Sequence, residues 1–216
     1  MDTLSTYVIN LKRRPDRLKA FQDSSPVAAA VFYGFDAKNE IVNPMPMIQC
    51  RKPGEIGCFI SHLQIYETIV KEGHTWTLLL EDDAIFCHQF KEKLSGILHE
   101  ISTVPTPQII YIGGRFEPNF VMKSICATKV TDHIAKHRVS QTRPWQPVDH
   151  DRTTHAYLLS LEGATTLLNA FRATTNPIQI PVDYWILQTF LSRHVPIYNS
   201  VPLLCHSPMV GDSDIR

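Results

Sequence analysis

Between Glu55 and Glu72, the residues Ile56, Phe59, Ile60, Leu63, Tyr66, Ile69 and Val70 recur at spacings of three and four, which draws one face of an amphipathic helix of about five turns. Just beyond Gly73, Trp76 to Leu80 is a continuous apolar run that ends in three carboxylates, Glu81-Asp82-Asp83. A strand that is apolar on both faces has to be covered on both faces, and that requirement leaves few architectures. Similar short runs stand at Tyr7-Val8-Ile9, Val31-Phe32-Tyr33, Ile109 to Ile112, His155 to Leu159 and about Ile197 to Val201. Helical patterns separate several of them: Leu18 with Phe21; Phe90, Leu94, Ile97, Leu98 and Ile101; Glu162 to Phe171; and Tyr184, Leu187 and Leu191 after Pro181. The alternation predicts an α/β fold, with a mostly parallel central sheet covered by helices on both faces. Residues 115 to 153 carry no period and include Pro118, Pro144 and Pro147, so they are expected to form a long excursion from the sheet. No repeat or linker divides the chain, and residues 1–216 are expected to form a single domain.

Composition removes several functions. The 216 residues are 44% hydrophobic and 19% charged, with 21 Lys+Arg against 21 Asp+Glu. A balanced charge without a basic stripe lacks the footprint of a nucleic-acid binder, so no nucleic-acid partner is expected. The longest apolar runs fall well short of the roughly 20 residues needed for a membrane span. The segment MDTLSTYVINLKRRPDR lacks the order of a signal peptide, and a cytoplasmic protein is expected. Five scattered cysteines (Cys50, Cys58, Cys87, Cys126, Cys205) without a C-x-x-C pair read as free thiols.

In an open parallel sheet, ligands lie outside the carboxyl ends of the strands, which directs attention to polar residues that follow apolar runs. Glu81, Asp82 and Asp83 would raise one another's pKa values unless a cation or cationic side chain neutralised them. They read either as a site for Mg²⁺ or Mn²⁺ or as a solvated turn in which Asp83 caps the next segment. Asn10, Arg14, Asp16 and Arg17 follow the first strand: either an arginine reaches a diphosphate, or Asp16 and Arg17 begin a helix at Pro15. Asp36 could accept from ribose hydroxyls. His62, inside the long helix, reads as a packed or hydrogen-bonded histidine unless that helix end faces the cleft. Gly113-Gly114 either admits a sugar close to the backbone or turns the chain. Asp183 opens a helix, as a cap or as a general base, and His206 offers an imidazole suited to Mn²⁺.

The stretches YVINLKRRPDR (7 to 17), GFDA (34 to 37), GEIGCFISHLQIY (54 to 66), LLLEDDAIF (78 to 86), YIGG (111 to 114), HAYLLSLEGATTLL (155 to 168), PVDYWI (181 to 186) and CHSPMVGDSDI (205 to 215) occur in this order. In order and spacing the chain resembles glycosyltransferase family 25, the lipooligosaccharide-biosynthesis type that includes collagen galactosyltransferase domains. The resemblance implies a Rossmann-like GT-A fold, a UDP-sugar donor, a divalent metal (Mn²⁺ or Mg²⁺), an oligosaccharide or glycan acceptor, and inversion at the anomeric carbon. It places Glu81, Asp83 and His206 at the metal, with Asp83 the direct ligand, and Asp82 near the donor sugar or ribose. Ile9, Asn10, Leu11, Arg14, Asp36, Ser61, Gly113 and Gly114 are assigned to the donor pocket, and Asp183 to the acceptor side as base. Galactose is the favoured sugar, with glucose and xylose behind it. The family usually has glycine after the second-strand aspartate and before the HAYLLS-like segment; this chain has Ala37 and Thr153-Thr154 there. A compact chain without a retention signal implies a bacterial or viral cytoplasmic enzyme. The rival readings are a metal-dependent nucleotidyltransferase, separated by release of pyrophosphate, and a glycan-binding scaffold that has lost catalysis.

Overall fold

The computed structural model describes residues 4–40, 47–114, 127–137 and 153–207. Strand β1 (Ser5–Asn10) leads into helix α1 (Pro15–Ser24), which has proline in its first turn, and then into β2 (Ala30–Tyr33). The long helix is α2 (Pro53–Glu72); it begins two residues before Glu55, because proline suits the first helical turn. It ends at Gly73 (φ 70°), whose amide donates to the Ile69 carbonyl. Strands β3 (Trp76–Glu81) and β4 (Ile85–Phe86) and helix α3 (Phe90–Glu100) follow, then β5 (Ile109–Tyr111) and β6 (Gly113–Gly114). Within the predicted excursion, β7 (Ala127–Lys129) and β8 (Ile134–His137) form an antiparallel pair that extends the sheet; most of the rest of that excursion lies outside the described residues. The chain continues through β9 (Ala156–Ser160), α4 (Leu161–Arg172), α5 (Val182–Ser192), β10 (Tyr198–Ser200) and β11 (Cys205–His206). Ser160 caps α4 by accepting from the Gly163 amide at 3.0 Å.

The main sheet has the order β2-β1-β3-β9-β5-β10-β8-β7. Strands β2, β1, β3, β5, β10 and β7 point one way, and β9 and β8 point the other. The mostly parallel α/β arrangement is therefore observed, with β9 reversed at its centre. Successive side chains of β3 enter opposite layers: Leu79 packs under α2, α4 and α5, whereas Leu78 and Leu80 pack under α1 and α3. Phe59, Tyr66 and Ile69 on α2 are fully buried, each stabilising the fold by about 1.5–3 kcal/mol relative to exposure. A small second sheet, β4-β11-β6, stands beside the carboxyl end of β3. Cys50, Cys58, Cys87 and Cys205 are free thiols, as expected; Cys126 lies outside the described residues. Among the described residues, no helix is long and apolar enough to cross a membrane.

Candidate active site

Because β1, β2 and β3 run in parallel, Asn10, Tyr33 and Glu81 finish at the same edge of the sheet. The segments that leave those ends, with the first half of α2, enclose a cleft. Its lining contains Ile9, Asn10, Leu11, Asp36, Ser61, Glu81, Asp82 and Asp83 from the expected set, together with Arg13, Arg17, Phe35, Lys38, Cys58 and His62. Arg13 and Arg17 are four residues apart and flank the proline that starts α1. Arg14 is not among the lining residues; it forks onto Asp16 at 3.0 and 2.8 Å. The arginines lining the cleft are Arg13 and Arg17, of which Arg17 is among the candidates expected after the first strand.

The three carboxylates leave β3 in a tight turn, with the Ala84 amide donating to the Glu81 carbonyl at 3.1 Å. Asn10 Nδ2 donates to Asp82 Oδ2 at 2.6 Å. Arg17 contacts Asp82 and lies 3.3 Å from Asp83, so a cationic side chain supplies part of the neutralisation that the triplet requires. Burial nevertheless pushes Asp82 up to about 6; Arg17 and Asn10 oppose the shift, and the charges of Asp83 and Glu81 add to it. Burial and the Glu81 charge raise Asp83 as well. For Glu81, burial works against ionisation, but the neighbouring His62 and the hydrogen bond from Thr154 outweigh it and hold the carboxyl below its usual range. Thr154 Oγ1 donates to Glu81 Oε1 at 2.6 Å, and His62 Nε2 lies 3.4 Å from the same oxygen.

His206 reaches this corner because β11 pairs with β4, setting His206 opposite Ile85, two residues beyond Asp83. The neighbouring Ser207 Oγ donates to Asp83 Oδ2 at 3.1 Å. Asp83 Oδ1 and His206 Nδ1 are both buried with no hydrogen-bond partner among the described residues. Buried polar atoms left unpaired cost about 1–3 kcal/mol each, and a carboxylate oxygen and an imidazole nitrogen are donors that Mn²⁺ accepts. The residues present fit a divalent cation. Among the described residues, the compact grouping of ligand atoms within 4.8 Å of one another is, however, Cys58, His62 and Glu81, which shares one residue with the expected Glu81, Asp83 and His206.

The opposite wall is built around Asp36. Its Oδ2 accepts from Arg13 Nε at 2.6 Å and Asn39 Nδ2 at 2.8 Å, and its Oδ1 from the Lys38 amide at 3.3 Å. Burial disfavours its charge, but the bonds from Asn39 and Arg13 prevail and lower its pKa. Both oxygens are engaged in holding Arg13 and the loop. That loop bends without a positive φ at Ala37, so alanine is tolerated where the family usually has glycine. Ser61 Oγ donates to the Gly57 carbonyl at 2.7 Å and accepts from the Phe35 amide at 2.9 Å, latching the loop to α2. A Cβ on Gly57 would lie 2.7 Å from the Phe35 carbonyl oxygen, so glycine is what allows this approach.

Gly113 and Gly114 are taken up in β6, hydrogen-bonded to β11. A Cβ on Gly113 would lie 2.7 Å from His155 Nε2. The close approach there is made by the protein's own imidazole, and neither glycine lines the cleft. Asp183 lies in the first turn of α5, its Oδ1 accepting the Tyr184 amide at 2.9 Å. It is partly exposed and outside the cleft lining, yet its negative charge helps raise the thiols of Cys58 and Cys50, after burial and the carboxylates Glu81 and Glu55 respectively.

Sequence reasoning missed Thr154 and His155. It examined residues after strands, whereas β9 runs in reverse and brings its beginning to the ligand edge, where the His155 carbonyl accepts from the Glu81 amide at 2.9 Å. Burial lowers His155 to about 4, with Glu81 opposing and His206 reinforcing. Cys58 and His62, four apart on α2, form a same-face pair legible from their spacing; this end of the helix faces the cleft, and His62 Nδ1 lies 2.7 Å from the Tyr157 hydroxyl.

A mostly parallel sheet with an acidic and cationic cleft at its carboxyl edge defines the class of α/β proteins that bind ligands at strand ends. Within that class, the chain belongs to glycosyltransferase family 25 (LPS biosynthesis protein), whose profile matches residues 3–186. It is 26% identical over 233 residues to procollagen galactosyltransferase 2 of Homo sapiens, covering 93% of this chain and 34% of that protein. It is 35% identical over 127 residues to the putative glycosyltransferase R655 of Acanthamoeba polyphaga mimivirus, covering 52% and 38%. A probable inactive glycosyltransferase 25 family member 3 of Bos taurus is 29% identical over 201 residues, covering 83% and 30%. The chain thus spans about a third of the length of these curated relatives. Among solved structures, mannose-1-phosphate geranyltransferase from Thermus thermophilus superposes with a TM-score of 0.51 at 10% identity, covering 94% of this chain and 75% of that one, a likeness of fold.

Proposed function

We propose that this glycosyltransferase transfers a hexose, galactose in the first instance, from a UDP-sugar to a hydroxyl of a glycan acceptor, with a divalent cation and with inversion. The observation that carries the reading is the acidic corner. Two part-buried carboxyls there, Asp82 and Asp83, have raised pKa values despite Arg17, and Asp83 Oδ1 and His206 Nδ1 find no hydrogen-bond partner among the described residues.

Asp83, His206 and Glu81 would hold Mn²⁺ or Mg²⁺, which supplies charge neutralisation to the diphosphate as it leaves. Arg13 and Arg17 line the same cleft and offer guanidinium groups to phosphate oxygens. Asn10 donates to Asp82 and would keep it oriented toward the donor. Ser61 and Asp36 hold the loop that forms the nucleotide wall. Asp183 receives the proton of the acceptor hydroxyl, at the start of α5 where the helix dipole favours its charged form. The acceptor oxygen attacks opposite the leaving diphosphate, and this single displacement inverts the anomeric centre. Orientation within the cleft can lower such a barrier by about 7–11 kcal/mol in the best cases.

A hydrolysis screen of nucleotide sugars with Mn²⁺, with and without chelator, tests the reading before an acceptor is identified. UDP release from one UDP-sugar that stops with chelator and in Asp83→Asn supports it. Cleavage to nucleoside monophosphate and sugar 1-phosphate in place of nucleoside diphosphate, or no cleavage of any donor, refutes it.

A further inference from the structure

Cys58 and His62 stand one helical turn apart on α2 and therefore share a side of it. The thiol sulfur, an imidazole nitrogen and a carboxylate oxygen of Glu81 lie within 4.8 Å of one another. The His62 Nε2 to Glu81 Oε1 distance is 3.4 Å. That is long for an N–H···O bond, which is usually about 2.7–3.2 Å. It matches the edge of a zinc tetrahedron, in which ligand atoms about 2.0–2.3 Å from the ion lie about 3.3–3.6 Å apart. Independent support comes from the far side of the ring. His62 Nδ1 lies 2.7 Å from the Tyr157 hydroxyl, which lies 2.8 Å from the Tyr66 hydroxyl, and all three residues are buried. A metal-bound imidazole characteristically has its second nitrogen fixed by such an outer partner. All three ligand residues also line the open cleft, which leaves a fourth position for water.

We propose that Cys58, His62 and Glu81 form a site for a zinc-class cation, distinct from the oxygen-rich corner at Asp83, and that its occupancy withdraws Glu81 and inhibits transfer. Sulfur and nitrogen donors select Zn²⁺ or Co²⁺ over Mg²⁺ and Mn²⁺, whereas the Asp83 corner has the opposite preference. On binding, a metal–sulfur bond replaces the S–H bond of Cys58 and one proton passes to solvent. The inhibitory consequence rests on the function proposed above; the binding itself does not.

The test is titration of the chelator-treated full chain with Co²⁺. A thiolate-to-cobalt charge-transfer band is expected, saturating at one ion per chain and bleached by Zn²⁺. The band is expected to vanish in Cys58→Ser, to persist in Asp83→Asn, and to require about 10- to 100-fold more Co²⁺ in Tyr157→Phe, which removes the outer hydroxyl alone. Mass spectrometry of alkylated Cys58 gives a second readout in the wild type, with protection by Zn²⁺ expected. Absence of the band, its persistence in Cys58→Ser, or unprotected Cys58 overturns the site. Chelator-sensitive donor hydrolysis without a cobalt band refutes the zinc site alone. A cobalt band with no hydrolysis of any donor supports the zinc site and refutes the proposed reaction.

Discussion

Replacing Ser61 by alanine removes one oxygen that joins α2 to the loop after β2. The Phe35 amide, which donates to Ser61 Oγ at 2.9 Å, then has no partner at a part-buried position. Leaving a buried donor unsatisfied costs about 1–3 kcal/mol. The second bond, from Ser61 Oγ to the Gly57 carbonyl at 2.7 Å, is a back-bond within the helix, so its loss adds little. For a domain of this size each kcal/mol moves the melting temperature by about 2–4 °C, which gives an expected loss of about 2–12 °C. The functional effect is separable from the thermal one. Phe35 leads directly into Asp36, which holds Arg13 at 2.6 Å, so UDP affinity should weaken while Mn²⁺ affinity at the Asp83 corner is kept. Differential scanning calorimetry and calorimetric titration with UDP read the two effects. A melting temperature within about 1 °C of wild type, with unchanged UDP affinity, refutes the latch (both outcomes being set by the same hydrogen bond).

Gly57→Ala places a methyl group 2.7 Å from the Phe35 carbonyl oxygen; overpacking there is expected to cost about 1–3 kcal/mol, measured by urea denaturation, and to weaken UDP binding. Asp183→Asn is expected to lower kcat by about 10²- to 10⁴-fold with donor KM nearly unchanged, and steady-state kinetics with any identified acceptor would show the split. Glu100 accepts from Thr131 Oγ1, the His133 amide and His133 Nδ1. Burial opposes its charge, but these bonds prevail and its pKa is lowered. The sign follows: the stabilisation is complete above the unfolded-chain glutamate value near about 4.3 and is lost as pH falls through the lower folded value. Wild type is therefore expected to lose stability in acid more steeply than Glu100→Gln, as read from denaturation curves taken between about pH 5 and 3.

The apolar blocks revealed the strands and helices because burial on both faces writes itself into composition, as in Leu78, Leu79 and Leu80, which serve two different layers. They did not reveal strand direction. The HAYLLS segment reads the same whether parallel or antiparallel, and its reversal brought Thr154 and His155 to the site. The acidic triplet was visible as a charge that needs compensation, but not its partner. Arg13, Arg14 and Arg17 are chemically alike, and their division between cleft and helix start depends on where α1 begins relative to β1. Gly113-Gly114 in the sequence fits either room for a sugar or a turn; a Cβ on Gly113 would meet the His155 ring, a contact between residues far apart along the chain that no local pattern encodes.

Binding of Mn²⁺ to the wild type and to Asp83→Asn, followed by electron paramagnetic resonance with and without UDP, tests the acidic corner most directly. The expected result is one ion per chain, held more tightly when UDP is present and released by the Asp83 substitution. Mn²⁺ binding that ignores both UDP and Asp83, or UDP binding unchanged when the metal is removed, would contradict a cation bridging this corner to a diphosphate.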